Sequence, residues 1–329
     1  MPEHGTHKKG VISMSFIKKE ISFPSSDGKH TVHGYIYEPC GKSASGIVQI
    51  SHGMIDHIGR YEGLAEFLCG TGYILAGNDH LGHGNTAKST PEDYGFFADG
   101  GGIDLLLCDL KAMNGRLAEL YPTLPIVLMG HSMGSFLSRL YAVKYPESIA
   151  GHIIHGTGGP MGAILPIGKL LVKLNSAIFG SRNRSKFIAN LAFAGYNSKF
   201  PKEGHNAWLT SDQSMIPTRD TDEFTTFTFT VSAYYDLFTM LGKANSAEWF
   251  RSYPKGLKTL IMAGEMDPVG KYGKGPSYVY TRLVKEGAAK TEIKLYPDAR
   301  HELFNEAESC RNKAFEDIAR WLGALISKT

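Results

Sequence analysis

The residues best placed to do chemistry in this chain are Gly130-His131-Ser132-Met133-Gly134. An apolar run, Ile126 to Met129, stops at the first glycine, and Ser135 to Tyr145 then carries apolar residues at helical spacing until Pro146. A serine between two glycines at such a junction is the sequence form of a strained strand-to-helix turn that lifts a hydroxyl clear of the backbone. Glycine suits both flanks because a side chain there would hold strand and helix apart. A serine hydroxyl is a poor nucleophile at neutral pH. It needs a base, and the base needs an acid to orient it.

Where this turn tops a parallel sheet, the chain order is serine, then Asp or Glu, then His, each on a loop after a strand. Lys258 to Ala263 reads as a buried strand and runs into Gly264-Glu265-Met266-Asp267-Pro268. Thr291 to Tyr296 alternates as a strand and is followed by Pro297-Asp298-Ala299-Arg300-His301-Glu302. Asp267 is therefore expected as the orienting acid and His301 as the general base, with Glu265 and Asp298 as rivals for the acid. Stabilising a tetrahedral oxyanion takes two backbone donors. The expected pair is the N–H of Met133, after the serine, and that of Met54, in the loop His52-Gly53-Met54-Ile55-Asp56-His57 that follows the strand Gly46 to Ser51. Gly53 is expected to take the unusual dihedrals that aim the amide, with His52 holding the loop together; Gly130, His131 and Gly134 support the elbow. His57, Arg60 and Tyr61 read as support for the next helix.

These loops need a scaffold, and the chain spells one out. Ile17 to Phe23 and Thr31 to Glu38 alternate as a hairpin around a Ser-Ser-Asp-Gly turn. Strands then follow at Gly46 to Ser51, Tyr73 to Asn78, Pro125 to Met129, Ile149 to His155, Lys258 to Ala263 and Thr291 to Tyr296. Helices are expected near Tyr61 to Cys69, Gly102 to Leu120, Ser135 to Tyr145, Ser277 to Glu286 and Asn305 to Ile326. Such alternation predicts an α/β fold with a mostly parallel sheet covered on both faces.

The rhythm breaks between His155 and about Phe250, which predicts an insertion. The expected division is a lead-in over 1–13, a core over 14–155, a cap over 156–250 and the rest of the core over 251–329. Gly156 to Gly159 reads as the hinge into the cap, since it lacks the Lys-Ser/Thr ending of a phosphate loop. In the first part of the cap Leu170, Leu171, Leu174 and Ile178 share one helical side, with Lys169, Lys173, Arg182, Arg184 and Lys186 at polar positions. That face either roofs the site or dips into a membrane surface, and the two roles are compatible. The second part contains Trp208-Leu209-Thr210-Ser211-Asp212 and an aromatic series from Phe224 to Phe238; Trp208, Phe229 and Tyr234 are the candidate pocket residues.

Composition narrows the class. A net charge of +3 with 20% charged residues leaves no nucleic-acid footprint. Four cysteines without C-x-x-C spacing read as reduced thiols, and no apolar run matches a secretion signal or a membrane span, so a cytoplasmic setting is expected. No cofactor is expected. His4 and His7 in the polar N-terminus read as part of a frayed tail rather than metal ligands. Asp79, His80 and His83 likewise read as loop buttresses rather than a metal site.

Four segments, HGMIDHIGRY (His52 to Tyr61), NDHLGHG (Asn78 to Gly84), GHSMGS (Gly130 to Ser135) and HELFNE (His301 to Glu306), occur in one order. Together they resemble the monoacylglycerol lipase and lysophospholipase group of α/β-hydrolases, and the resemblance runs from about Phe16 to the C-terminus. Asp56, Thr86 and Ser135 depart from the commoner Glu, Ser and Gly of that group without removing a reacting group. The resemblance implies the α/β-hydrolase fold with a mainly helical cap, and a serine hydrolase acting on a small lipid or ester substrate, with monoacylglycerols or lysophospholipids foremost. It leaves open a carboxylesterase, thioesterase or peptidase, and, from another class, a non-catalytic ligand-binding protein. Serine at 132 excludes a haloalkane dehalogenase or epoxide hydrolase, which need Asp there.

Overall fold

The unbroken apolar runs become strands buried on both faces. In the computed structural model, which describes residues 16–326, β1 (Phe16–Pro24), β2 (Thr31–Pro39), β3 (Ile47–Ser51), β4 (Ile74–Asn78), β5 (Ile126–His131), β6 (Gly151–His155), β7 (Lys258–Gly264) and β8 (Thr291–Tyr296) form one sheet. The lead-in expected over 1–13, with His4 and His7, lies outside the described residues. Strand order is β1-β2-β4-β3-β5-β6-β7-β8, with β2 antiparallel to both β1 and β4 and all other neighbours parallel.

The helices are α1 (Glu62–Gly70), α2 (Gly84–Lys88), α3 (Gly102–Leu120), α4 (Met133–Lys144), α5 (Ile164–Phe179), α6 (Lys186–Ala192), α7 (Met215–Thr221), α8 (Val231–Ala244), α9 (Ala247–Ser252), α10 (Lys274–Lys285) and α11 (Glu308–Ile326). Along β5, Val127 and Met129 face the cluster holding Leu64 and Leu68 of α1 and Ile318 and Trp321 of α11. Leu128 faces the opposite cluster, with Leu106 and Leu110 of α3 and Leu137 of α4. Alternation between two apolar faces is what makes such a strand read as a continuous apolar run.

Chain direction through the sheet decides where a site can form. From β3 the chain moves to β4 on one side, then crosses to β5 on the other, so growth reverses between β3 and β5. A crevice opens at the carboxyl ends of the strands at such a switch point. Ser51 pairs with Gly130 in register, so the loops after β3 and β5 start level with each other.

Between β6 and β7 the described residues hold five α-helices, one 3-10 turn and no strand. Val231, Tyr234 and Met240 of α8 are buried in the same cluster as Leu137 and Tyr141 of α4, and α5 lies against α8. Only Gly168 and Val172 of α5 are buried. Leu171 turns inward onto the core cluster, whereas Ile164, Ile167, Leu170, Leu174, Ile178 and Phe179 are all exposed.

Candidate active site

Ser132 is built as its sequence context predicts: it caps α4 with φ 53° and ψ −120°, a conformation few non-glycine residues adopt. Its N–H donates to the His155 carbonyl at 3.0 Å, and its own carbonyl accepts from Ser135 N–H at 2.8 Å. A Cβ on Gly134 would sit 1.9 Å from the Ser51 carbonyl oxygen, and one on Gly130 would sit 2.2 Å from Ser138 Oγ. Close approach alone demands glycine at both positions.

The loops after β7 and β8 bring Asp267 and His301 together, with His301 Nδ1 2.9 Å from Asp267 Oδ2. A carboxylate only accepts, so Nδ1 donates, which in the neutral tautomer makes Nε2 the acceptor. The second oxygen of the buried Asp267 accepts the Val269 amide at 2.8 Å, which fixes the carboxylate. The rival acids Glu265 and Asp298 are exposed. Ser132 and His301 line one cavity, without a hydrogen bond between them among the described residues. Such contacts commonly tighten only once substrate is bound.

Met54 and Met133 line the same cavity. Met133 is the first residue of α4, so its N–H lies ahead of the helical hydrogen-bond ladder. Around Met54 the strain falls on a different residue from the one expected. Gly53 does not take a positive φ; the left-handed residue is Ile55, at φ 52°. Gly53 instead lies close to the elbow, since a Cβ there would meet His131 at 3.2 Å and Ser132 at 3.3 Å, a tight fit that those side chains would have to yield to. A β-branched side chain at positive φ is strained and must be held.

Two histidines hold it. His52 Nδ1 donates to the Gly53 carbonyl at 2.8 Å while Nε2 accepts from the His80 amide at 3.0 Å. Because the peptide is trans, fixing the Gly53 carbonyl on one side aims the Met54 N–H to the other. His83 Nε2 accepts the Ile55 N–H at 3.3 Å and its Nδ1 donates to the Leu81 carbonyl at 3.0 Å. Each ring donates once and accepts once, so each must be neutral. Burial favours that state: it lowers the pKa of His52 and pushes that of His83 down to about 3. Asp79 buttresses from behind, accepting the Ile58 amide at 2.9 Å and the Asn85 amide at 2.8 Å.

One network had no reading in the sequence beyond support for a helix. Arg60 donates to Asp56 at 2.9 Å and forks onto both oxygens of Glu302, at 3.2 and 2.7 Å. Asp56 also accepts Tyr61 Oη at 2.9 Å and the Gly53 amide at 3.2 Å. The loop bearing Met54 is thereby tied to the residue after His301. Burial by itself would raise both carboxyls, but the Arg60 guanidinium holds Asp56 far below the usual carboxylate range and Glu302 at about 2.

The insertion reaches the site through its second half. Glu302 N–H donates to the Leu209 carbonyl at 2.7 Å, Arg300 to the Ala207 carbonyl at 2.6 Å, and Ser211 N–H to Glu306 at 3.0 Å. This docking lays the Trp208 ring over His301, centroids 5.1 Å apart. Trp208 lines the cavity, as expected of a pocket residue. Phe229 does not: it is fully buried among His83, Phe97 and Tyr234. Tyr234 lines only a neighbouring outer cavity. Periodicity could not separate these cases, since an aromatic that fills the core and one that walls a pocket have the same residue type and spacing.

A sheet of this order, with a strained serine after β5 and an acid–histidine pair after β7 and β8, defines an α/β-hydrolase. A family model described as Hydrolase_4, serine aminopeptidase, S33, matches residues 42–308, and the chain belongs to that family. A monoacylglycerol lipase of Mycolicibacterium smegmatis is 23% identical over 94% of this chain and 98% of its own. A monoglyceride lipase homolog of monkeypox virus is 24% identical over 84% and 88%. Among solved structures, a thermostable carboxyl esterase from Bacillus coagulans superposes with a TM-score of 0.87 at 29% identity, over 94% of this chain and 99% of that one. Family and neighbours together make the chain an ester hydrolase of the α/β-hydrolase class.

Proposed function

We propose that the chain is a serine hydrolase that cleaves monoacyl esters of glycerol, of monoacylglycerol or lysophospholipid type, through an acyl-enzyme. His301 Nε2 takes the proton of Ser132 as its oxygen attacks the ester carbonyl, with Asp267 orienting the ring and stabilising the imidazolium. The amides of Met54 and Met133 hold the tetrahedral oxyanion, where fixed donors in a dry site act most strongly. His301 then protonates the departing alcohol. Water, activated by the same histidine, releases the acid and restores Ser132.

The observation that carries this reading is the 2.9 Å His301–Asp267 bond at the wall of a cavity that Ser132 also lines. The relatives' names favour monoacylglycerols among esters. We read the helical insertion as a cap. The exposed face formed by Ile164, Ile167, Leu170, Leu174, Ile178 and Phe179, flanked by Lys169 and Lys173, supports transient contact of that cap with a lipid surface. No helix among the described residues is long and apolar enough to cross a membrane.

A fluorophosphonate probe tests the core of the proposal. It is expected to label the wild-type protein at Ser132 and to leave Ser132→Ala unlabelled; equal labelling of both would overturn the assignment.

A further inference from the structure

The cavity over Ser132 has walls of two kinds. One set is Phe136 of α4, Met161 and Val269, and Leu237, Phe238 and Leu241 of α8. Those walls suit a hydrocarbon chain. The lining also includes Asp56, Glu302 and Arg219. A second chamber adjoins it, sharing Ile55, Phe193, Tyr196, Trp208 and Arg219 as walls and lined elsewhere by a mixture that includes Lys186, Asn197, His205, Asn206, Asp220, Thr226 and Phe227. Arg219 stands where the two chambers meet, so an ester whose acyl chain lies along the apolar walls has this junction available for its alcohol.

Arg219 has donors to spare at that junction. Its side chain is only 13% exposed, its Nε is buried without a hydrogen-bond partner, and its nearest carboxylate oxygen, on Asp220, is 3.8 Å away. Asp220 is itself engaged by Asn206 Nδ2 at 2.7 Å. The other two carboxylates in this cavity act on Arg219 through their charge but make their hydrogen bonds elsewhere. Both Glu302 oxygens receive Arg60, with Asn305 added on one, and Asp56 receives Arg60, Tyr61 and the amides of Gly53 and His57. Arg219 is held in place through α7, whose following residue Asp222 bonds His57 Nε2 at 2.8 Å beside the Met54 loop. A guanidinium kept out of water with open donors costs stability unless a ligand meets it. Its planar fork matches two oxygens of a phosphate.

We propose that Arg219 is an anion subsite on the alcohol side of the scissile bond, and that the favoured substrates are monoacyl esters of glycerol phosphate. The inference rests on reading Ser132 as the nucleophile of an ester hydrolase. Phosphate on the glycerol places two oxygens at Arg219 while the acyl carbonyl lies at Ser132; an uncharged monoacylglycerol leaves the guanidinium unmet.

The test compares kcat/KM for lauroyl lysophosphatidate and for monolauroylglycerol in the wild type, Arg219→Gln and Arg219→Lys. The wild type is expected to favour the phosphate ester, Arg219→Gln to lower the ratio of the two by about tenfold or more, chiefly through KM, and Arg219→Lys to keep part of the preference. Glycerol 3-phosphate is expected to inhibit wild-type cleavage of a short nitrophenyl ester competitively and Arg219→Gln more weakly, a readout that does not depend on cleavage of either lipid. If both lipids are cleaved at a ratio that neither substitution moves, and glycerol 3-phosphate does not discriminate the variants, the subsite is wrong while the hydrolase stands. If the wild type cleaves neither and takes no fluorophosphonate label, the hydrolase reading itself fails.

Discussion

The loop after β3 and the outer helices of the insertion treat their polar and apolar groups differently. Around Met54 the groups that hold the backbone have partners, although Asn78 Oδ1, His80 Nδ1, His131 Nδ1 and both ring nitrogens of His155 nearby have none. His52 and His83 each donate and accept once, Asp79 takes two amides, and Asp56 and Glu302 are tied by Arg60. In the insertion, α5 leaves six large apolar side chains exposed, and Arg219 of α7 keeps a buried nitrogen unpaired. Groups that must stay fixed during a reaction gain from full internal satisfaction. Groups that meet a substrate or a surface must leave valence open for it. On the proposed function, the difference separates the part of the molecule that performs the reaction from the part that selects what reaches it.

Substitutions can break or sharpen that contrast. The largest effect is expected at Ser132: Ser132→Ala should lower kcat for a short nitrophenyl ester by about 10⁴-fold or more while leaving the thermal midpoint close to wild type. A variant that unfolds early or turns over normally would contradict the division of labour. Next comes Arg60→Ala, which strands two buried carboxylates and is expected to cost about 3–5 kcal/mol in urea unfolding. An exposed ion pair would cost far less, so a small loss would show that the network is not as buried as it stands.

His83→Ala removes the acceptor beneath the strained Ile55 and is expected to lower kcat by about tenfold, with little change in KM, if its role is to aim one oxyanion donor. His83→Gln, which restores an acceptor, should recover part of the loss; equal defects in both would make the ring a packing element only. Leu170→Ser combined with Leu174→Ser should weaken sedimentation with anionic vesicles by severalfold, and affect a water-soluble ester less than an emulsified one. Unchanged vesicle binding would remove the surface role of α5.

The smallest effect is on acid stability. Glu302 is held at about 2 against an ordinary 4.5, so its contribution is fully present above about pH 4.5 and is lost as pH falls through about 2. Urea midpoints measured across that window should fall more steeply for the wild type than for Glu302→Gln.

How much of this was legible beforehand differs by element. The eight strands were readable from two patterns: mostly apolar runs where both faces are buried, as in β5 and β7, and alternation toward the sheet edges, as in β1, β2 and β8. Ser132, Asp267 and His301 were proposed because each falls on a loop after a recognisable strand, and the structure brings Asp267 and His301 into contact. The unusual dihedrals were expected at Gly53 on residue type, whereas the positive φ is found at Ile55, whose amide is held by His83 from a separate segment. Phe229 was placed in the pocket and lies in the core for a similar reason: its neighbours His83 and Phe97 are over a hundred residues away in the chain, and only their packing tells lining from filling.

By itself, then, the sequence determined the layered sheet, the strand-to-helix turn at Ser132 and the order in which acid and histidine follow, because these depend on apolar periodicity and on glycines whose need is local. The tertiary structure alone decided that Arg60 joins the loops after β3 and β8, that Trp208 covers His301, and that Arg219 lies between two cavities with its Nε lacking a hydrogen-bond partner. Those facts depend on which distant groups meet and which find no partner, and a one-dimensional pattern holds no distances.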